Sequence, residues 1–118
     1  MKAYTDWSQS KKLAEILPLE SADMYRVFEN NAETRVYYGK PSTAYFVCEP
    51  CWSLAALFGV LPDTITSNDG VAFKLNIKKS IIEYSNPSLY LIYKSIKAYN
   101  PVDACYEMIL KLHELNLL

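Results

Sequence analysis

Apolar positions recur along this chain with two different periods, and the switches between them mark the elements. Leu13, Ile16 and Leu17 stand at i, i+3 and i+4, which predicts a helix from Trp7 to Leu17. Asp6 with Gln9 three residues on makes a capping-box pattern, and Pro18 stops the helix. Met24–Phe28, Arg35–Gly39 and Thr43–Cys48 are rich in Val, Tyr and Phe and predict three short strands; Asn30-Asn31 and Gly39-Lys40-Pro41-Ser42 supply the turns. Cys51–Leu61 carries no charge and predicts a helix buried on nearly every side, the expected central element of the core. Val71, Phe73, Leu75 and Ile77 then alternate with Ala72, Lys74, Asn76 and Lys78, which predicts a strand with one wet face. Ile81–Tyr84 and Leu89–Lys94 predict two more strands, split at Asn86-Pro87. A last helix should begin at Pro101, with Asn100 as its cap, and run to about Asn116.

The expected order is α-βββ-α-βββ-α, an α+β fold with antiparallel sheets around a buried central helix. No Gly-, Pro- or Ser-rich linker divides the chain, so residues 1–118 are expected to form one domain. A hydrophobic fraction of 51% and a charged fraction of 21% belong to a globular protein. Ten of the aromatic residues are tyrosines, which suit both half-buried sheet faces and binding surfaces. The polar start from Met1 to Ser10 lacks the apolar run of a signal peptide, and the longest apolar run, Leu54–Leu61, is far short of the roughly 20 residues a membrane span needs. Three cysteines, an odd number, do not suggest a secreted disulfide framework. A cytoplasmic location away from membranes is expected.

Charge separates one region from the rest. Residues 71–100 hold five lysines against the single acid Glu83, whereas residues 1–70 hold six basic and nine acidic side chains. Lys74, Asn76 and Lys78 share the wet face of one strand. Lys94 and Lys97 follow, interleaved with Tyr90, Tyr93 and Tyr99. Lysines offer point charges to phosphates and tyrosine rings stack on bases, so these residues are the candidate site for a small nucleotide-like anion. The plainer reading is a solvated sheet face with lysines guarding its edge. A pI near 5.8 opposes duplex-DNA binding, which draws on a domain-wide positive balance.

Chemistry has fewer footholds. Cys48-Glu49-Pro50-Cys51 resembles the CxxC of thiol–disulfide redox proteins, in which a helix N-terminus favours the thiolate. The expected helix opens near the second cysteine instead of the first, and no βαβ unit precedes the motif. Zinc would also require Cys105 and His113, which an intact helix separates by about 12 Å along its axis. With three glycines in the chain, neither GxGxxG nor a phosphate-binding P-loop can be written. No catalytic residue, metal or cofactor is therefore expected. On the last helix, Val102, Cys105, Met108, Ile109, Leu112 and Leu115 form the core stripe. Tyr106, Leu110, His113 and Leu117 form a neighbouring arc, which means either a deeply seated helix or a surface for a partner or a second copy.

Three segments, residues 9–24 (QSKKLAEILPLESADM), residues 50–57 (PCWSLAAL) and residues 101–109 (PVDACYEMI), resemble a family of small uncharacterised proteins carried by gut bacteria and their phages. The resemblance covers about a third of the residues, and no activity or site residue comes with it. It implies a phage or mobile-element context, in which small proteins without catalytic residues act by binding: a host protein blocked, or a nucleotide-like defence signal sequestered. The alternatives that stay open are a redox protein using Cys48 and Cys51, or a structural component of a larger assembly.

Overall fold

The computed structural model describes residues 2–29, 32–39 and 48–118. Helix α1 (Trp7–Ile16) opens as its first residues dictate: the Asp6 carboxylate accepts from the Gln9 backbone N–H at 2.8 Å, and the Gln9 side-chain oxygen accepts from the Asp6 N–H at 3.1 Å. It ends before Pro18, with Leu13 buried and Ile16 and Leu17 half-buried.

Strands β1 (Met24–Glu29), β2 (Ala32–Tyr38) and β3 (Cys48–Cys51) make an antiparallel sheet in the order β2-β1-β3. β2 begins three residues before its expected start at Arg35. The expected strand Thr43–Cys48 falls mostly on residues 43–47, outside the described residues; the described strand is Cys48–Cys51, paired with Val27 back to Met24. That pairing delays the next helix. Helix α2 (Leu54–Val60) starts three residues after the expected Cys51, because Ser53 caps it by accepting from the Ala56 N–H at 3.2 Å.

The second sheet has four strands, one more than expected: β4 (Thr64–Thr66), β5 (Ala72–Lys78), β6 (Ile81–Asn86) and β7 (Leu91–Lys97), antiparallel and in chain order. β4 is a three-residue edge strand with only Ile65 buried, too short to show a period. β7 starts two residues later than expected, since Pro87–Leu89 form a 3-10 turn capped by Asn86. Helix α3 (Pro101–Glu114) follows with the expected Asn100 cap, whose side chain accepts from the Asp103 N–H at 2.9 Å. The observed order is α-βββ-α-ββββ-α, and the α+β class stands as expected.

The expected place of α2 at the centre is corrected. Only Leu57 of α2 is buried, and Ala55 and Gly59 are exposed. The central element is α3, which buries Val102, Ala104, Cys105, Met108, Ile109 and Leu112 and packs against α1, α2, β6 and β7. The absence of charge in α2 reflects small residues at an apolar surface, not enclosure. Phe73, Ile82 and Tyr84 from the strands and Trp52 from the link between β3 and α2 complete the core, and the Tyr84 hydroxyl donates to the Pro62 carbonyl at 2.7 Å. No helix among the described residues is long and apolar enough to cross a membrane.

A polar clasp ties the chain start to α3. Lys2 reaches Asp103 at 2.8 Å and Asp6 at 3.0 Å, and the Gln9 side chain donates to Asp103 at 2.8 Å. Burial disfavours both carboxylates. The Gln9 backbone N–H and Lys2 outweigh that at Asp6, as Lys2 and the Gln9 side chain do at Asp103, and both acids are held below the usual carboxylate range. Depressed acids stabilise the fold at pH values above their unfolded pKa, and that contribution fades as pH falls through the folded one. Asp103→Asn should therefore cost about 1 kcal/mol at pH 7, a modest figure because the cluster is partly exposed, and nearly nothing at pH 2. Urea titrations of both proteins across this range check it; an equal deficit at both pH values would contradict the clasp.

Candidate functional site: the open face of the four-stranded sheet

Strand pairing decides which of the expected site residues meet. Residues paired across antiparallel strands point to the same side of the sheet. Phe73, Ile82, Tyr84 and Ile96 lie on the side that packs against the core. The other side is built in rows. Thr64, Lys74, Ser85 and Ile92 form one, Asn76, Glu83 and Ser95 the next, and Lys78, Ile81 and Lys97 the third. Lys74, Asn76, Lys78 and Lys97 are all exposed here. Four residues of strand separate Lys74 from Lys78, about 13 Å, and two strand spacings separate Lys78 from Lys97, about 10 Å. Four of the seven expected ligand residues thus share one face.

The other three do not join them. Tyr93 is half-buried and its ring packs on Phe73 at a centroid distance of 5.1 Å, so it lies against the core and is not free to stack on a base. Lys94 pairs with the buried Tyr84 and is itself half-buried. The reason is a bulge: Tyr84 pairs with Lys94 but the next residue, Ser85, pairs with Ile92, so the alternation of β7 is reset between its two ends. Tyr90 stands in the left-handed turn before β7 (φ 55°) and is 95% exposed, beside the strand and not within it. Tyr99 is fully exposed beyond the other end.

One member of the face is not among the expected residues. Glu83 sits mid-face and is only 9% exposed; it accepts from the Asn76 side chain at 3.4 Å and lies 3.7 Å from the Lys78 ammonium. Pairing residues 71–78 with residues 81–86 as a hairpin across Lys79-Ser80 would have placed Glu83 opposite Asn76 from sequence alone. Its charge offsets part of the lysine field, leaving Lys74 and Lys97 with no carboxylate partner among the described residues.

Cys51 and Cys105 are arranged for packing. Cys51 lies in β3, not at the opening of α2; it is buried, and its thiol sits 3.4 Å from the Thr5 carbonyl, to which it donates. Cys48 and Cys51 belong to one extended strand, which sets their Cα atoms about 10 Å apart. A disulfide needs them within about 7 Å, so β3 would have to break to form one. Cys105 is buried in α3, and burial pushes its thiol up to about 12. Among the described residues no three His, Cys, Asp or Glu side chains come close enough to share a metal ion.

The second candidate surface, on α3, is largely used inside the molecule. Tyr106, Leu110 and Leu117 are half-buried and pack against the protein's own core, which leaves His113 as the exposed member of that arc. Burial, with the nearby acids Asp6, Glu107 and Glu15, raises the Tyr106 phenol above its ordinary pKa. A consecutive exposed apolar run lies elsewhere: Leu89, Tyr90, Leu91 and Ile92 lead into β7, which lies at the edge of its sheet. No protein-family model, no curated protein and no solved structure matches this chain.

Proposed function

We propose that this chain is a non-enzymatic, cytoplasmic binding protein of phage or mobile-element origin that sequesters a small nucleotide-like anion on the open face of its four-stranded sheet. The observation that carries the reading is the convergence of Lys74, Asn76, Lys78 and Lys97 on that face, in a chain whose net charge is −1. Two lysines there have no carboxylate partner among the described residues. The lysine positions are spread over the face, Lys97 about 10 Å across the strands from Lys78 and Lys74 about 13 Å along the strand from it, which suits a ligand with more than one phosphate. Ser85 and Ser95 add hydroxyls between the charges.

Titration calorimetry against nucleotides and cyclic oligonucleotides tests this. Each of Lys74→Ala, Lys78→Ala and Lys97→Ala should weaken binding about fivefold, corresponding to roughly 1 kcal/mol per exposed ion pair. Affinity should fall as salt rises, while Lys94→Ala leaves it within twofold. No heat with any ligand of the set defeats the proposal.

A second reading is a host protein as target, with the same sheet as the contact. It draws on the exposed run Leu89–Ile92 and on the outer edge of β7, whose backbone no described strand pairs. An added strand would bury that run.

A further inference from the structure

We propose that the groove between the end of α1 and the C-terminal half of α2 is a second, separate binding site, for a small amphipathic cation: an apolar body carrying one amine head. The groove is open to solvent on one side and offers about 520 Å³, inside the roughly 300–1,000 Å³ range of small-molecule sites. Leu17, Pro18, Val60 and Pro62 give it an apolar lining. Gly59 lines it, and the space beside its Cα is empty: a Cβ built there would meet nothing within 4 Å. Glycine in the interior of a helix disfavours it, so its place here, on the groove side of α2, is not a requirement of the helix itself.

The polar wall chooses the ligand. Asp23 lines the groove, and its carboxylate oxygens accept from the Ser53 backbone N–H at 2.9 Å and from the Ser53 hydroxyl. An ionised carboxylate offers about four acceptor positions, so two remain. No lysine or arginine of the described residues forms an ion pair with it. An anion would be repelled there. An uncharged apolar molecule would strip water from the carboxylate and return no hydrogen bond. A protonated amine supplies both charge and donors, while its apolar body covers Leu17, Pro18, Val60 and Pro62. The opposite sign of this site from the lysine face means that either can fail without the other.

The test uses three probes of one shape: 2-phenylethylamine, 2-phenylethanol and phenylacetate, each titrated into 15N-labelled protein and followed by amide chemical shifts. The amine should give saturable shifts at Ala56, Gly59 and Val60. The alcohol and the acid should bind at least about tenfold more weakly, the effect expected of losing a partly buried charge pair. Gly59→Leu should abolish amine binding by filling the groove, with no loss of helix, because leucine is the better helix former. Asp23→Asn should bring amine and alcohol affinities within about twofold of each other. Equal binding of amine and alcohol to the unaltered protein overturns the proposal, as does retained amine binding in Gly59→Leu, or an absence of shifts with millimolar amine.

Discussion

Replacing Trp52 by alanine should lower stability by about 3–5 kcal/mol, enough to leave a marginally stable domain largely unfolded at 37 °C. The indole is fully buried, among the largest side chains enclosed in the core. It is also the point where three parts of the chain are joined. Its ring N–H donates to the Ser21 hydroxyl at 2.9 Å, its backbone N–H donates to the Thr5 hydroxyl at 3.1 Å, and its carbonyl accepts from the Thr5 N–H at 2.9 Å. The backbone bonds survive substitution; the ring does not. Removing it opens a cavity in the core and leaves the Ser21 hydroxyl without that donor. Trp52→Phe keeps most of the ring volume and should cost less, about 1–2 kcal/mol for the lost hydrogen bond and the smaller void. Urea midpoints followed by circular dichroism read both. A Trp52→Ala midpoint close to that of the unaltered protein would contradict a core built around this ring.

Ile109→Ala should cost about 2–5 kcal/mol, whereas Ala55→Glu should stay within about 0.5 kcal/mol. The pair of variants asks which helix is the centre of the protein. Ile109 is fully buried on α3, with Cys105, Met108 and Leu112 around the same face. Ala55 is an exposed residue in the first turn of α2, where an acidic side chain also suits the helix dipole. If α2 were enclosed on all sides, as its lack of charge suggests, Ala55→Glu would place an unpaired carboxylate in an apolar interior and be the worse of the two. Equilibrium denaturation ranks them directly. The reverse order would restore α2 as the core helix.

Much of the candidate site is legible in the sequence. Lys74, Asn76 and Lys78 share a face because strand alternation is a local rule, and β5 obeys it. Lys97 joins them only through the pairing of β7 with β6. Tyr93 and Lys94 are out of reach of the same rule, because one bulge between two strands resets which residues face out. Glu83 is visible as an isolated acid among lysines, but its position between Asn76 and Ser95 is a matter of register across three strands.

Local sequence is enough to specify α1 with its capping box, the alternation of β5, the Asn100-Pro101 start of α3 and its core stripe from Val102 to Leu112; Leu115, expected in that stripe, lies past the end of the helix and is exposed. Each of these rests on bonds and periods that span only a few residues, so neighbours in the chain suffice to specify them. Tertiary structure alone decided that Cys51 is a strand residue, that Thr64–Thr66 pairs with β5, and that α3 and not α2 lies at the centre. These outcomes depend on which distant segments come to lie alongside, and a residue's burial is set by those neighbours rather than by its own polarity.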